Sequence, residues 1–368
     1  MKFQTPVKAI ILLADGTVFY GNAIGKSQKS VIGEVCFTTA MTGYEDLFLD
    51  PSYSNKIVVH APSHIGGYGI NEEEIYSENA KISGLIARNF GKFYSRTKAD
   101  GSLQEYLERD RVFILSDVDT RALVTHLREN GSMRGILSTE TENLEQLKSQ
   151  LKSFQEPSTE ELLRRNSTLE AYTSGVSAEP KYKVAVLDLG LKKSYLQFLE
   201  ARDCEMMIFP YSASFEEMMD FQPDGFFVAG GPGNPMEMSH QLNVVKKILN
   251  SGKPFFGVGI GHNLLALAMG VPSVKMNIGH QGANHSVKNI LTGKGEITVQ
   301  NHDYQINKTQ LETHPDLELT HIDLNDQSVE GVRVKGKKVF SVQYAPGGKP
   351  GPTDSEYLWD EFVQMLKN

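Results

Sequence analysis

Beyond Lys183 the sequence settles into one alternating pattern, and that pattern constrains the fold more than any other feature. Short, fully apolar runs are each followed by an amphipathic stretch: VAVLD by LKKSYLQFLEARD, EMMIFP by a short helical pattern, GFFVAGG by another, and PFFGV by HNLLALAMG. A strand that is apolar along its whole length must be covered on both faces, and helices between parallel strands provide that cover. The second half therefore reads as α/β, a doubly wound parallel sheet. Further strands follow at EITVQ, LELTHID, VEGVRV and VFSVQ, and the chain closes with the amphipathic helix SEYLWDEFVQMLK.

The first half follows a different pattern. AIILLA runs into the turn at Asp15-Gly16 and TVFYG returns from it, which is the signature of a hairpin. VIGEVCFTTA, KIVVHAP, KISGLIARNF and VFILS read as further strands, and SLQEYLERD and DTRALVTHLREN as helices. This is a mixed, β-rich domain. Because the chain has 368 residues, more than one core is expected. From about Thr139 to Lys181 the composition turns polar and acidic, with ENLEQLKSQLKSF as a helix. The expected division is a domain at 1–150, a linker at 151–180 and a second domain at 181–368.

Composition excludes several function classes. The formal net charge is -8 with Lys and Arg scattered, so no phosphate-tracking surface for nucleic acid is expected. Two cysteines, Cys36 and Cys204, cannot form a disulfide framework, which fits a reducing cytoplasm. The apolar run in MKFQTPVKAIILLADG is too brief for a signal sequence, and no stretch approaches the roughly 18 apolar residues of a membrane span.

Three segments, all at the ends of predicted strands, carry the chemical interest, since open α/β sheets place ligands there. Gly230-Gly231-Pro232-Gly233-Asn234-Pro235 can bring successive N–H groups close to a developing anion, although a plain Gly-Pro turn explains such strings as well. Gly257-Val258-Gly259-Ile260-Gly261-His262 sits between a strand and a helix, where a G-x-nucleophile-x-G string makes a sharp elbow that exposes its central side chain. Here the central residue is Gly259. The third segment, Ser341 to Pro352, reads by composition as a turn-rich loop.

Taken together, these strings resemble one family from end to end. GEVCFTTAMTGYEDLFLDPSYSNKIV, HIGGYGIN and SDVDTRALVTHLRENGSMRG in the first half, and PDGFFVAGGPGNP, KPFFGVGIGHNLLALAMG, VKMNIGHQGANHSVK, VQNHDYQI and SVQYAPGGKPGPTDSEYLWDEF in the second, are similar to the small, glutaminase subunit of carbamoyl-phosphate synthetase. The resemblance implies an N-terminal small-subunit domain followed by a class I glutamine amidotransferase domain. It also implies a place in the ligase complex that supplies carbamoyl phosphate for pyrimidine and arginine synthesis.

Members of that family hydrolyse glutamine with a Cys-His-Glu triad, and here each position differs. The family's nucleophile position is Gly259, its general base is Ala345, and the base's carboxylate partner is Gly347. Around them, the glutamine pocket implied by the resemblance is occupied by Ala40, Gly231, Gly233, Ile260, Asn263, Asn301, Asp303 and Tyr304. Ala40 stands where the family has serine, Asn263 where it has glutamine, and Asp303 where it has glycine. Acyl transfer needs a nucleophile, a base and an orienting group, so the chain is expected to be a glutaminase-inactive homologue with a structural or regulatory role beside the large, ATP-dependent subunit. No catalytic residue, metal or cofactor is expected, and neither a nucleic acid nor a membrane partner.

The rival reading is a stand-alone regulatory module that binds another small molecule in the altered cleft, where Asp303 and Asn263 favour an amine over a neutral amide. The remaining candidates have plainer readings. Cys36 and Cys204 lie off the elbow and read as buried thiols. His262, His280, His285 and His302 match no zinc spacing and read as structural, Glu72 to Glu74 as a solvated loop, and Trp359 as part of a packed helix or an interface anchor.

Overall fold

The computed structural model describes residues 7–25, 29–72, 79–175, 180–347 and 351–367. The chain divides into two compact units: residues 1–156 with 277–281, and residues 157–276 with 282–368.

In the first unit the elements run β1 (Val7–Leu13), β2 (Val18–Ile24), β3 (Ser30–Thr38), α1 (Tyr44–Leu49), β4 (Lys56–His60), β5 (His64–Ile65), β6 (Gly84–Ile86), β7 (Asn89–Phe90), α2 (Leu103–Arg109), β8 (Phe113–Ser116), α3 (Thr120–Asn130), β9 (Met133–Ser138) and α4 (Leu144–Ser153). Seven of the strands close a barrel in the order β1-β2-β8-β6-β4-β3-β9. The hairpin forms as expected: Leu12 pairs with Val18, and the Thr17 N–H donates to Asp15 Oδ1 at 2.9 Å. Both faces of β1 are covered. Ile11 joins Val35, Ile57 and Phe113 in one cluster, while Ile10 and Leu12 pack with Leu147 and Leu151 of α4.

KISGLIARNF, expected as one strand, is two. β6 is hydrogen-bonded on both sides, to β4 and β8, only as far as Ile86. Beyond it the chain leaves the barrel, the Phe90 N–H donates to Ser116 Oγ at 3.3 Å, and β7 pairs with β5 in a separate two-stranded sheet. Glu73 and Glu74 of the acidic run lie outside the described residues.

The second unit continues with α5 (Thr159–Asn166), β10 (Tyr172–Ser174), β11 (Tyr182–Asp188), α6 (Lys193–Glu200), β12 (Cys204–Phe209), α7 (Phe215–Asp220), β13 (Gly225–Ala229), α8 (Ser239–Asn250), β14 (Phe255–Val258), α9 (Ile260–Ala268), β15 (Ser273–Asn289), β16 (Gly295–Ile306), α10 (Lys308–Glu312), β17 (Leu317–Asp323), β18 (Val329–Val334), β19 (Val339–Val342) and α11 (Tyr357–Leu366). Its ten-stranded sheet has the order β10-β12-β11-β13-β14-β19-β18-β17-β15-β16. The central strands β12, β11, β13, β14 and β19 are mutually parallel, and β18 and β17 turn the sheet antiparallel.

The apolar strands are covered on both faces, as their composition requires. Ala185, Leu187, Phe226 and Val228 pack with Val244 and Ile248 of α8 and Leu264 and Leu265 of α9. The alternate residues Val184, Val186, Phe227 and Phe256 pack with Phe198 of α6 and Trp359 and Phe362 of α11. Each such aromatic or branched side chain stabilises the fold by roughly 1.5–3 kcal/mol on burial.

Two features differ from the sequence reading. The stretch 151–180, read as a linker, carries α5, capped by Ser158 and buried through Leu163, and β10, which pairs antiparallel with β12. The 17-residue strand β15 has no counterpart among the expected strands, because VKMNIGHQGANHSVK lacks a clean apolar alternation. Trp359, read as part of a packed helix or as an interface anchor, is the former: it is 0% exposed, stacks on Phe198 at 5.5 Å between ring centroids, and donates its Nε1–H to the Pro346 carbonyl at 2.9 Å. Among the described residues no helix is long and apolar enough to cross a membrane.

Candidate functional site

The site sits at the carboxyl ends of the parallel strands in the second unit. β14 ends at Val258, α9 begins at Ile260, and Gly259 between them has φ 60° and ψ −115°. Only glycine takes that conformation without strain. Its N–H donates to the Val342 carbonyl at 3.0 Å, and its own carbonyl accepts from the N–H groups of His262 at 3.0 Å and Asn263 at 3.2 Å. The flanking glycines are required by space. A Cβ on Gly261 would fall 2.1 Å from the Val228 carbonyl oxygen, and one on Gly257 would fall 2.7 Å from that of Gly261. At Gly259 itself a Cβ would stand 3.2 Å from Gly230 Cα, with the next heavy atom at 3.9 Å. The elbow thus has its turn and has room at its apex.

The glycine loop borders this apex. A Cβ on Gly231 would come within 1.7 Å of the Leu189 carbonyl oxygen, so nothing larger fits. Gly233, at φ 109°, lies against Thr159, whose Cγ2 would be 2.8 Å from an added Cβ.

The third segment arrives beside the elbow because β19 pairs in parallel with β14, Val342 opposite Val258. Asn263, 1% exposed, ties the two together: its Nδ2 donates to Gln343 Oε1 at 2.8 Å and to the Gly259 carbonyl at 3.1 Å, and its Oδ1 accepts from Ser273 Oγ at 2.6 Å. The Ala345 N–H donates to the Val299 carbonyl at 2.9 Å. Gly347, at φ 77°, donates its N–H to Ser355 Oγ at 3.3 Å. A Cβ there would lie 2.7 Å from Glu356 Cγ and 2.8 Å from Phe198 Cζ. Gly348 to Pro350, part of the motif, are outside the described residues.

Of the other pocket positions, Ile260 opens α9 and is 7% exposed. Asn301, Asp303 and Tyr304 lie on β16, with Asn301 and Asp303 on the same face by strand periodicity. The side-chain nitrogen and oxygen of Asn301 are shut off from solvent and have no hydrogen-bond partner among the described residues. Ala40 belongs to the first unit, half-buried after β3, with its N–H donating to Thr38 Oγ1 at 3.2 Å.

Of the titratable groups in this unit, His262 and Cys204 are held neutral by burial. His262 is 0% exposed; its Nδ1 shares a 2.9 Å hydrogen bond with Ser341 Oγ, and burial pushes the imidazole down to about 3. His302 is occupied by the Tyr304 carbonyl at 2.9 Å and Gln300 Oε1 at 2.8 Å, with Glu330 Oε1 at 3.8 Å, while His285 lies 3.8 Å from Asp323. Burial pushes the Cys204 thiol up to about 12, and Cys36 is 2% exposed inside β3. Neither cysteine is on the elbow. The polar clamp formed by Ser273, Ser341 and Gln343 is absent from the sequence reading, and the available clue was a serine inside the otherwise apolar run VFSVQ.

The arrangement is an amidotransferase scaffold. The family described as carbamoyl-phosphate synthase small chain, CPSase domain, matches residues 11–137, and glutamine amidotransferase class-I matches residues 185–365. The carbamoyl phosphate synthase small chain of Clostridium perfringens (strain 13 / Type A) is 40% identical over 359 residues, 97% of this chain and 99% of its own. That of Staphylococcus epidermidis RP62A is 40% identical over 362 residues, 98% of this chain and 96% of its own. The Listeria monocytogenes serotype 4b protein is 38% identical over 360 residues, 98% of this chain and 97% of its own. With this full-length similarity and both domains matched in order, the chain belongs to the carbamoyl-phosphate synthase small-chain family.

Proposed function

We propose that this member of the family does not hydrolyse glutamine and acts as a structural or regulatory partner of a large synthetase subunit, within the cytoplasm. One observation carries the reading: the apex of the elbow, where the attacking side chain of a triad amidotransferase would stand, is Gly259. The residues assigned to the base and to its carboxylate partner, Ala345 and Gly347, have no titratable group either. In the serine protease subtilisin, loss of the nucleophile alone costs on the order of a millionfold in turnover. What remains, the glycines at 231 and 233 and the turn itself, can hold an anion but cannot form an acyl-enzyme.

In this reading residues 1–150 form the small-subunit domain and 181–368 the amidotransferase domain, and the connection at 151–180 is an ordered one that carries α5 and β10. The assembled complex draws on free ammonia. The test is to purify the chain with a large synthetase subunit and compare carbamoyl phosphate formation from glutamine and from ammonium chloride. Product from ammonium alone is the expected result, and glutamate release at a rate typical of triad enzymes would overturn it.

A second reading is favoured by one feature of the cleft. The shielded, unpartnered amide of Asn301 beside Asp303 suits a small ligand that supplies both a donor and an acceptor. Failure to co-purify with any large synthetase subunit would favour that reading.

A further inference from the structure

Away from the elbow, the second unit holds a cavity of about 270 Å³ between α5, the loop after β12 and the start of α8. Leu163 and Met238 supply its apolar wall, and no lysine or arginine lines it. Two carboxylates and one side-chain amide are in its lining, together with hydroxyls and His240. Glu160 stands at the first turn of α5. Glu237 is held by neutral donors only, Thr159 Oγ1 at 2.6 Å and Asn234 Nδ2 at 3.1 Å. Gln241 is 5% exposed; its Nε2 donates to the Tyr211 carbonyl at 2.9 Å, while its carbonyl oxygen has no partner among the described residues.

Opposite charge is also provided. α8 starts at Ser239, and Met238 at its N-cap makes no side-chain cap, so the N–H groups of the first turn are left for an outside acceptor. Ser239, His240 and Gln241, the three residues of that turn, all line the cavity. Unneutralised carboxylates beside an uncapped helix start match a ligand with both an ammonium and a carboxylate, spaced a few ångströms apart.

We propose that this cavity is a binding site for a free α-amino acid, with its ammonium on Glu237, Glu160 and the Gln241 carbonyl oxygen and its carboxylate on the first turn of α8. Thr159 of its lining also lies against Gly233 of the glycine loop, but no residue of the elbow lines the cavity, and the proposal does not depend on the reading of the triad. The volume accommodates a small or medium side chain against Leu163 and Met238.

The test is calorimetric titration of the full chain with glycine, L-alanine, L-serine and L-valine, alongside ethylamine, which lacks the carboxylate, and N-acetyl-L-alanine, which lacks the ammonium. At least one amino acid is expected to bind, while the two blocked compounds bind at least about tenfold more weakly. Glu237→Gln and Glu160→Gln, both at exposed residues, are each expected to weaken binding about tenfold, and Asp303→Asn to leave it unchanged. No heat from any amino acid at 20 mM overturns the proposal, as does equal binding of ethylamine or insensitivity to both glutamate substitutions. Loss of binding in Asp303→Asn also overturns it, because the ligand would then occupy the altered cleft.

Discussion

Two glycines at the same site stand in opposite situations. Gly259 and Gly347 both have positive φ, at 60° and 77°, and in the proposed reading both stand where the family's chemistry calls for a side chain. Around Gly259 the structure has left space, with only Gly230 Cα inside 3.9 Å of an added Cβ. Around Gly347 it has closed in, with Phe198 and Glu356 where a side chain would begin. The neighbouring Pro346 carbonyl is fixed by Trp359, which itself stacks on Phe198. The turn has the form of an elbow with room at its apex, while the far side is packed as core. An elbow is easily refitted with a side chain; a core is not.

The largest expected effect comes from the closed side. Gly347→Glu combines a left-handed backbone with overpacking against Phe198 and Glu356, and is expected to destabilise the protein by about 2–4 kcal/mol, read from urea unfolding. Trimming Phe198 to Leu in that background should return part of the loss; no rescue would mean that the two sites are less different than they look.

Next is the restoration of chemistry. Gly259→Cys with Ala345→His and Gly347→Glu is expected to remain without measurable glutaminase, because the carboxylate cannot be seated while Phe198 and Glu356 hold their places. Activity from these three changes alone would show that the closed side yields easily.

Gly259→Cys by itself should fold, with a loss of about 1–3 kcal/mol from the strained turn. It should stay inactive: the N-terminus of α9 favours the thiolate, but no general base is present to serve the later proton transfers. Glutamate release from glutamine reads this, and a rate above background would reveal a base not assigned to the site.

A smaller effect follows from His262, beneath the elbow. Its folded-state value is about 3 against 6.5 for the free group, so the unfolded chain binds the extra proton between those values. Stability from this group is therefore complete above pH 6.5 and declines as pH falls toward 3. The urea midpoint should drop between pH 7 and pH 5, and His262→Gln should flatten that slope. The smallest effect concerns substrate: 10 mM glutamine is expected to raise the melting temperature by less than about 1 °C, since mass action requires a dissociation constant below the added concentration.

The doubly wound sheet was legible because its strands are apolar without interruption, VAVLD and PFFGV being clear cases, and because Gly-x-Gly-x-Gly ahead of HNLLALAMG admits few conformations. The assignment of Gly259, Ala345 and Gly347 rests on motif resemblance, and the structure sets Gly259 beside the strand that leads to the other two. What remained hidden depends on partners distant in sequence. Nothing local in APGG says that Phe198 lies against Gly347, and nothing in SEYLWDEF says that Trp359 reaches the Pro346 carbonyl. The helix α5 reads as part of a linker because its surroundings are polar; it is buried only through Leu163 and Thr159, one apolar and one polar residue, which make no visible apolar period.

The hydrogen bond from Asn263 to Gln343 spans 80 positions of the chain. During synthesis β14 and α9 leave the ribosome long before β19 exists, so one edge of the growing parallel sheet waits with its backbone groups unpaired. The strands β15 to β18 are made in that interval, and the antiparallel pairings of β17 with β15 and β18 can form first. Completion of the elbow is then among the last events of folding, and the nascent chain is most open to sticking to its neighbours while β14 waits for β19.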